Sequence, residues 1–242
     1  MRISGSGHIS AGDYEEKIGV TGSAKLDGKI RCQAFHCAGS ASGKAELECK
    51  EEVKVSGAMS VDGRLIAQKI HISGSLSVSE ECQAKEEIKI SGSLKCKGNV
   101  KGTEITVAGG IRCEGGMEAE KVKIVGNIHC DGLLNAEEIE IASERGSCNI
   151  GSIGGSNIKM YCKNSRSSIV RLPLLDKLVG GSGRLEVKQS IEGDVVALEN
   201  VITPLVVGRV VAIGTGCQID LVQYSEEIEI HPEAKVKHYE KV

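Results

Sequence analysis

Ten cysteines are the residues with the most distinctive chemistry in this 242-residue sequence. Cys96, Cys113 and Cys130 recur at one spacing, and Cys32 and Cys49 recur at the same one. Thiols stacked in this way could form disulfides or hold a metal ion. No Cys-x-x-Cys pair is present, and a flat series of thiolates does not readily offer tetrahedral zinc geometry. The pattern therefore favours the simpler interpretation, reduced cysteines packed as small hydrophobes in a narrow core, with no metal site.

The histidines are the next candidates for chemistry. His8, His36, His71 and His129 fall at outward positions of the same pattern, close to lysines and arginines. They could form a basic stripe for an anionic partner or a lateral contact, or simply a solvated face. Thirty basic residues against 33 acidic ones give a net charge of −3, which favours the solvated face. The same balance, with 2% aromatic residues and no Trp, excludes the usual nucleic-acid-binding surfaces.

Nucleotide-binding and catalytic motifs are absent from the sequence. The glycine-rich segment 151–155 lacks the lysine of a phosphate-binding loop. Serines recur in every repeat without a paired histidine and acid, which indicates packing at corners and no nucleophile. Segment 163–184 is the one place long enough for a sugar-acting site, and its residues suggest no such chemistry. We therefore predict no catalytic residue, no cofactor and no enzymatic activity.

These residues belong to a repeat that runs along most of the chain. A Ser-Gly-Ser-like tripeptide marks each repeat, and its central residues are Gly5, Gly22, Gly39, Gly57, Gly74, Gly92, Gly109, Gly126 and Ser143. The period, roughly 17–18 residues, is too short for helical-pair repeats and shorter than that of leucine-rich repeats.

Apolar residues alternate within each repeat as they do in β-strands with one buried face. Three pairs of inward residues per repeat, separated by glycine or acidic corners, predict three short strands per turn. One inward series is Ile18, Phe35, Val53, Ile70, Ile88, Ile105, Val122 and Ile139. In another series Gly43 interrupts the apolar residues. The sequence thus predicts an all-β, triangular parallel β-helix whose turns are stable only when stacked.

The regular pattern does not extend over the whole chain. We predict a regular β-helix over residues 1–162, an irregular loop or insertion over 163–184, and less regular β-helical turns followed by a polar tail over 185–242. Residues 1–20 hold no apolar signal segment, and no apolar run approaches the length of a transmembrane helix. We expect a cytoplasmic protein without a transmembrane segment, whose cysteines stay reduced.

The repeat resembles the bactofilins, the polymer-forming cytoskeletal proteins of bacteria. The segments that carry the resemblance are Ile70–Ser75, Ile88–Gly98, Ile105–Gly115 and Val122–Gly132, and the similarity covers about residues 1–142. The resemblance implies a right-handed β-helix that polymerises end to end without nucleotide. Met1 leads directly into a repeat, without the short membrane-associating segment that many bactofilins carry, so no membrane anchor is expected.

The open end of a β-helix suggests how such a protein would assemble. Unpaired backbone groups and an uncovered core invite pairing with another chain. We predict that the N-terminal turn, with Ile3, Ile9, Ile18 and Val20, is a self-association surface. The expected partners are other copies of the chain, with other bacterial cell-structure proteins as further candidates. The alternative is a β-helical platform that binds a protein partner and does not polymerise, with residues 185–242 capping one end.

Overall fold

The computed structural model describes residues 1–143, 148–162 and 185–242. These residues form 26 β-strands and no helix, and the chain divides into two compact units, Met1–Ala119 and Glu120–Val242. Strands pair in parallel with strands of the preceding and following turns, as in the pairs Ile18–Phe35 and Val122–Ile139. The protein is therefore a parallel β-solenoid, as the sequence predicted. The predicted loop or insertion at 163–184 lies outside the described residues.

The first unit contains seventeen short strands within its described residues. They are β1 (Arg2–Ile3), β2 (Ser6–Ile9), β3 (Gly12–Asp13), β4 (Ile18–Val20), β5 (Ser23–Cys32), β6 (Phe35–Cys37), β7 (Ser40–Cys49), β8 (Glu52–Val55), β9 (Ala58–Val61), β10 (Leu65–Ile72), β11 (Ser75–Val78), β12 (Cys82–Ile90), β13 (Ser93–Cys96), β14 (Val100–Lys101), β15 (Glu104–Val107), β16 (Gly110–Cys113) and β17 (Met117–Glu118).

Identical positions of successive repeats stack directly in this unit. One buried column runs through Ile18, Phe35, Val53, Ile70, Ile88 and Ile105, each in register with the next. The small variation of the period from turn to turn is absorbed at a corner. Ala67 pairs with Ala84, but Lys69 pairs with Glu87, so the extra residue lies in between and the inward columns stay aligned. The alternation that predicted the core is thus confirmed.

The marker glycines stand where the backbones of successive turns come closest. A Cβ at Gly74 would lie 2.0 Å from the carbonyl oxygen of Gly57, one turn earlier. No real contact of a Cβ is that short, so only glycine fits. The same distance, 2.0–2.1 Å, applies along the column Gly22, Gly39, Gly57, Gly74, Gly92 and Gly109. The repeated Ser-Gly-Ser marker therefore reflects close backbone stacking.

Gly43 interrupts an inward column for a related reason. It pairs with Leu26 and with Val61, which are both buried. Its φ is +154°, and a Cβ there would lie 1.9 Å from the carbonyl oxygen of Leu26. Any side chain would thus collide with the turn before it, and glycine is required where its neighbours in the column carry apolar groups.

The second unit contains longer strands, which bend around corners. They are β18 (Lys121–Ile124), β19 (Asn127–Asn135), β20 (Glu138–Ser143), β21 (Cys148–Cys162), β22 (Leu185–Val187), β23 (Ser190–Leu198), β24 (Val201–Ile213), β25 (Gln218–Ile230) and β26 (Lys235–Lys241).

Its turns vary in length more than those of the first unit. Ile139 pairs with Ile158 across a turn that is longer than the repeat period, whereas Val196 pairs with Val211 across a turn that is shorter. The inward residues of these strands are nevertheless buried in both cases. None of the described residues of either unit forms a helix of the length and hydrophobicity needed to cross a membrane.

The polar C-terminal residues form a strand, where the sequence predicted a tail. β26 pairs in parallel with the first half of β25, so that Lys235 lies beside Gln218 and Lys241 beside Tyr224. Its side chains carry no apolar alternation, and most are exposed. Ladder hydrogen bonds come from the backbone, so a polar segment joins the sheet without leaving a hydrophobic signal in the sequence.

Glu199 is a buried carboxyl in the second unit, and it makes a testable contribution to stability. Only 3% of it is exposed, and its Oε1 accepts a hydrogen bond of 3.2 Å from the Thr215 hydroxyl. Burial raises the pKa of Glu199 above its ordinary value of 4.5, although the Thr215 bond opposes the shift. Because the folded state disfavours the carboxylate, this residue lowers stability as the pH rises above about 4.5.

We expect Glu199→Gln to stabilise the protein at pH 7 by about 1 kcal/mol and to have little effect at pH 4, where the wild-type side chain is protonated. The amide oxygen of the new side chain can still accept the hydrogen bond from the Thr215 hydroxyl. The difference between the two proteins therefore measures the effect of the charge alone. Urea unfolding at the two pH values measures the difference. An equal effect at both would contradict the assignment.

Candidate self-association edge

The first turn of the first unit has one open side. β1 pairs with β4, while β2 and β3 both pair with β5. Within the described residues no strand lies on the other side of β1, β2 or β3. These three strands form what we call the N-terminal edge.

Parallel pairing fixes which backbone groups at this edge are free. The amide of Thr21 donates to the carbonyl oxygen of Ile3 at 2.8 Å, and the amide of Ser23 donates to that of Gly5 at 2.9 Å. Because alternate residues of a strand direct their amide and carbonyl groups to opposite sides, those of Arg2, Ser6 and His8 point away from the second turn. The edge therefore presents a row of hydrogen-bonding groups suited to another strand.

The four side chains predicted for this surface lie in the core. Ile3 is 9% exposed, and Ile9, Ile18 and Val20 are fully buried. The structure brings Ile3 and Val20 together in register, one turn apart. Ile9 and Ile18 occupy other inward columns. Substitution of any of them would disturb folding, so these side chains are poor probes of association.

Gly5 is a better probe of the N-terminal edge, and sequence reasoning overlooked it. A Cβ at Gly22 would lie 2.1 Å from the Gly5 carbonyl oxygen, whereas a Cβ at Gly5 would meet no atom within 4 Å. At the equivalent glycines of the later turns, an added Cβ would point into the preceding turn. At Gly5 that direction leads into the space that a stacked second copy would occupy.

Two of the outward histidines lie beside carboxylates one turn away. His36 Nε2 lies 2.5 Å from Glu52 Oε1, and His71 Nε2 lies 3.4 Å from Glu87 Oε2. Desolvation raises the pKa of Glu52, but the His36 hydrogen bond and nearby positive charges outweigh it, so the pKa of Glu52 is below its ordinary value. The surface around His36 and His71 is thus charge-balanced.

Other charged residues pair across one turn in the same way. The ion pairs include Lys69–Glu86 at 3.2 Å, Lys121–Glu138 at 2.8 Å, Lys123–Glu140 at 3.0 Å and Arg209–Glu226 at 2.6 Å. In each pair the partners are one repeat period apart, a spacing visible in the sequence once the period is known. Exposed pairs of this kind contribute little stability individually, but they favour the correct register.

All ten cysteines are buried, and none of them forms a disulfide bond. The Sγ atoms of Cys32 and Cys49 lie 3.3 Å apart in adjacent turns. Cys96 and Cys113 contact backbone carbonyl oxygens of Glu80 and Gly98, both at 3.1 Å. Among the described residues no three His, Cys, Asp or Glu side chains are grouped so that they could hold a metal ion.

A surface groove of about 410 Å³ in the second unit is one concave feature to consider for catalysis. Tyr161 donates a 2.7 Å hydrogen bond to Glu140, which also pairs with Lys123. Burial and the Glu140 carboxylate raise the pKa of Tyr161 to about 12. The Glu140 carboxylate is held by Lys123, and the Tyr161 phenol stays protonated at neutral pH. Neither Glu140 nor Tyr161 therefore titrates near neutral pH, and the two form a structural network.

The comparisons with known proteins agree with this architecture. The model of the bactofilin family, described as polymer-forming cytoskeletal, matches residues 20–118. No curated protein and no solved structure matches the chain. The match covers most of the first unit and its regular glycine-marked turns. Residues 20–118 of this chain therefore match the bactofilin family of polymer-forming cytoskeletal proteins.

Proposed function

We propose that this protein is a structural scaffold that assembles with further copies of itself through the edges of its β-solenoid units, without nucleotide and in the cytoplasm. The observation that carries this proposal is the open N-terminal edge, next to a segment that matches a polymer-forming family. Edge strands of this kind readily pair with other chains.

The N-terminal edge offers small and polar groups around its free backbone. Arg2, Ser6 and His8 are the residues whose backbone groups face outward, and β1 and β2 carry none of the lysines that blunt many edge strands. Close approach of a second backbone there requires that Gly5 keep no side chain. The marker glycines from Gly22 to Gly109 meet the same requirement within the unit, because a Cβ at each of them would collide with the turn before it.

Gly5→Ala should therefore weaken self-association without unfolding the protein. We expect the weight-average mass in sedimentation equilibrium to fall at every concentration tested, with a melting temperature that is not lowered. Gly110→Ala is the matched control, because a Cβ at Gly110 also meets no atom within 4 Å and lies away from this edge. Equal assembly of the wild type and both variants would rule out the N-terminal edge as a contact.

A further inference from the structure

Two cysteine sulfur atoms meet across successive turns of the first unit. Cys32 ends β5 and Cys49 ends β7, and the two residues stand in register. Their Sγ atoms lie 3.3 Å apart. Neighbouring strands are roughly 4.8 Å apart, and a disulfide can span that separation between two Cα atoms. We call Cys32 and Cys49 the thiol pair, because rotation of the side chains is enough to bring their sulfurs into bonding distance.

The orientation of the side chains distinguishes the thiol pair from other stacked cysteines. Cys96 and Cys113 also stand in register in successive turns. Their sulfurs, however, are directed at the backbone. The Cys96 Sγ lies 3.1 Å from the Glu80 carbonyl oxygen, and the Cys113 Sγ lies 3.1 Å from that of Gly98. Register alone therefore does not bring two thiols together, and Cys96 with Cys113 provides a comparison within the same chain.

Packing alone does not require cysteine at the positions of the thiol pair. The inward column that contains Cys32 and Cys49 continues in the next turns through Ala67 and Ala84, which are both buried. Alanine is therefore large enough for this position of the core. A thiol adds a group that can be oxidised, and two of them in contact can be oxidised together.

The thiol pair is also the place where an oxidant should react first. Cys49 is 5% exposed, whereas Cys96 and Cys217 are fully buried. The hydrogen bond with the Cys49 sulfur lowers the pKa of Cys32, although burial opposes the shift, and burial raises the pKa of Cys96 and Cys217. Because the thiolate is the nucleophile, a small peroxide should oxidise Cys32 before those two thiols.

We propose that Cys32 and Cys49 form a redox site, at which a hydroperoxide converts the two thiols into a disulfide between successive turns. The Cys32 thiolate attacks one oxygen of hydrogen peroxide, the O–O bond breaks, and the departing hydroxide takes up the proton that Cys32 lost. The Cys49 sulfur then attacks the sulfenic acid of Cys32. The S–S bond forms, the S–O bond breaks, and the departing hydroxide takes the Cys49 proton. Two thiols are oxidised, and one peroxide is reduced to two molecules of water.

The disulfide gives the first unit an oxidised form that is more stable than the reduced one. It joins residues 17 positions apart in the chain, and so it restricts the unfolded state. Exchange with two molecules of a small thiol cleaves it again, and those thiols leave as a disulfide of their own. The site lies within one unit, so its chemistry does not depend on assembly with further copies.

Peptide mapping of folded full-length protein tests the redox site after treatment with hydrogen peroxide and alkylation of the remaining thiols. Trypsin cuts after Arg31, Lys44 and Lys50, so the disulfide joins peptide 32–44 to peptide 45–50. Cys37, in the first of these peptides, should carry the alkyl label. We expect this link to be about 10-fold or more as abundant as one between Cys96 and Cys113. The melting temperature should rise by about 5 °C or more, and dithiothreitol should reverse both changes.

Cys49→Ala is the matched variant, because it introduces the residue that Ala67 supplies one turn later. It should leave Cys32 oxidised without a disulfide, and peroxide should not raise its melting temperature. Cys96→Ala is the second variant. It removes a thiol outside the redox site and should form the link between Cys32 and Cys49 as the wild type does.

Each outcome bears on the redox site separately from the proposed function, because none of these measurements depends on assembly. A link in the wild type and in Cys96→Ala that is absent from Cys49→Ala supports the site. The site is overturned if peroxide leaves both thiols reduced, or if Cys32 proceeds to a sulfinic acid without a link. A link between Cys96 and Cys113 of equal abundance would also overturn it. A link without a rise in melting temperature would overturn its stabilising effect.

Discussion

Gly74→Ala should destabilise the first unit by about 3 kcal/mol or more. The new Cβ would lie 2.0 Å from the Gly57 carbonyl oxygen. Backbone atoms occupy that space, so relief requires separation of two turns and loss of their ladder hydrogen bonds. Urea unfolding measures the change in midpoint and free energy.

Gly5→Ala is the matched control for this substitution. It adds the same methyl group at the equivalent position of the first turn, where no atom lies within 4 Å. The φ of Gly5 is outside the left-handed region, so alanine fits the folded backbone without strain. Alanine also lowers the conformational entropy of the unfolded chain, which favours the folded state. We expect a change between zero and about 1 kcal/mol of stabilisation. Equal destabilisation by the two variants would contradict the stacking explanation.

Native cysteines should react far more slowly with thiol reagents than the same cysteines in unfolded protein. Burial raises the pKa of both Cys96 and Cys217 from 9.0 to about 12. The thiolate is the reactive species, so a rise of this size reduces it roughly 1000-fold at neutral pH, before access is considered. Mass-spectrometric mapping after timed alkylation, with and without guanidinium, measures each site.

Cys32 provides an internal comparison in the same experiment. Its hydrogen bond with the Cys49 sulfur lowers the pKa of Cys32, although burial opposes the shift. It should therefore be modified earlier than Cys96 and Cys217 in the native protein. Modification of Cys96 or Cys217 at the same rate with and without guanidinium would show that the described core is not closed.

Most of the fold could be predicted because the same physical constraint repeats in every turn. An inward residue at one position, such as Ile70, predicts a buried partner one period before it and one period after it, and the alternation between them fixes the strands. β26 escaped prediction because its pairing depends on backbone groups, which leave no trace in side-chain hydrophobicity. Gly43 was visible as an exception, but its cause lies in the position of the Leu26 carbonyl oxygen.

The association surfaces were harder to predict than the fold. An apolar pattern identifies Ile9 and Ile228 alike as inward residues, but exposure depends on whether a further turn covers them. Ile9 is buried in the first turn, whereas Ile228 in β25 is half-buried. The free backbone groups of the N-terminal edge likewise follow from the register of neighbouring turns, which side-chain hydrophobicity does not reveal.

The central claim is that the edges of this β-solenoid protein join copies of the chain into larger assemblies. Sedimentation equilibrium of the wild-type protein over a hundredfold range of concentration tests it most directly. We predict a mass that rises with concentration well beyond the 25.5 kDa of one chain and passes that of a dimer. A mass that stays at one chain throughout the range would contradict the account.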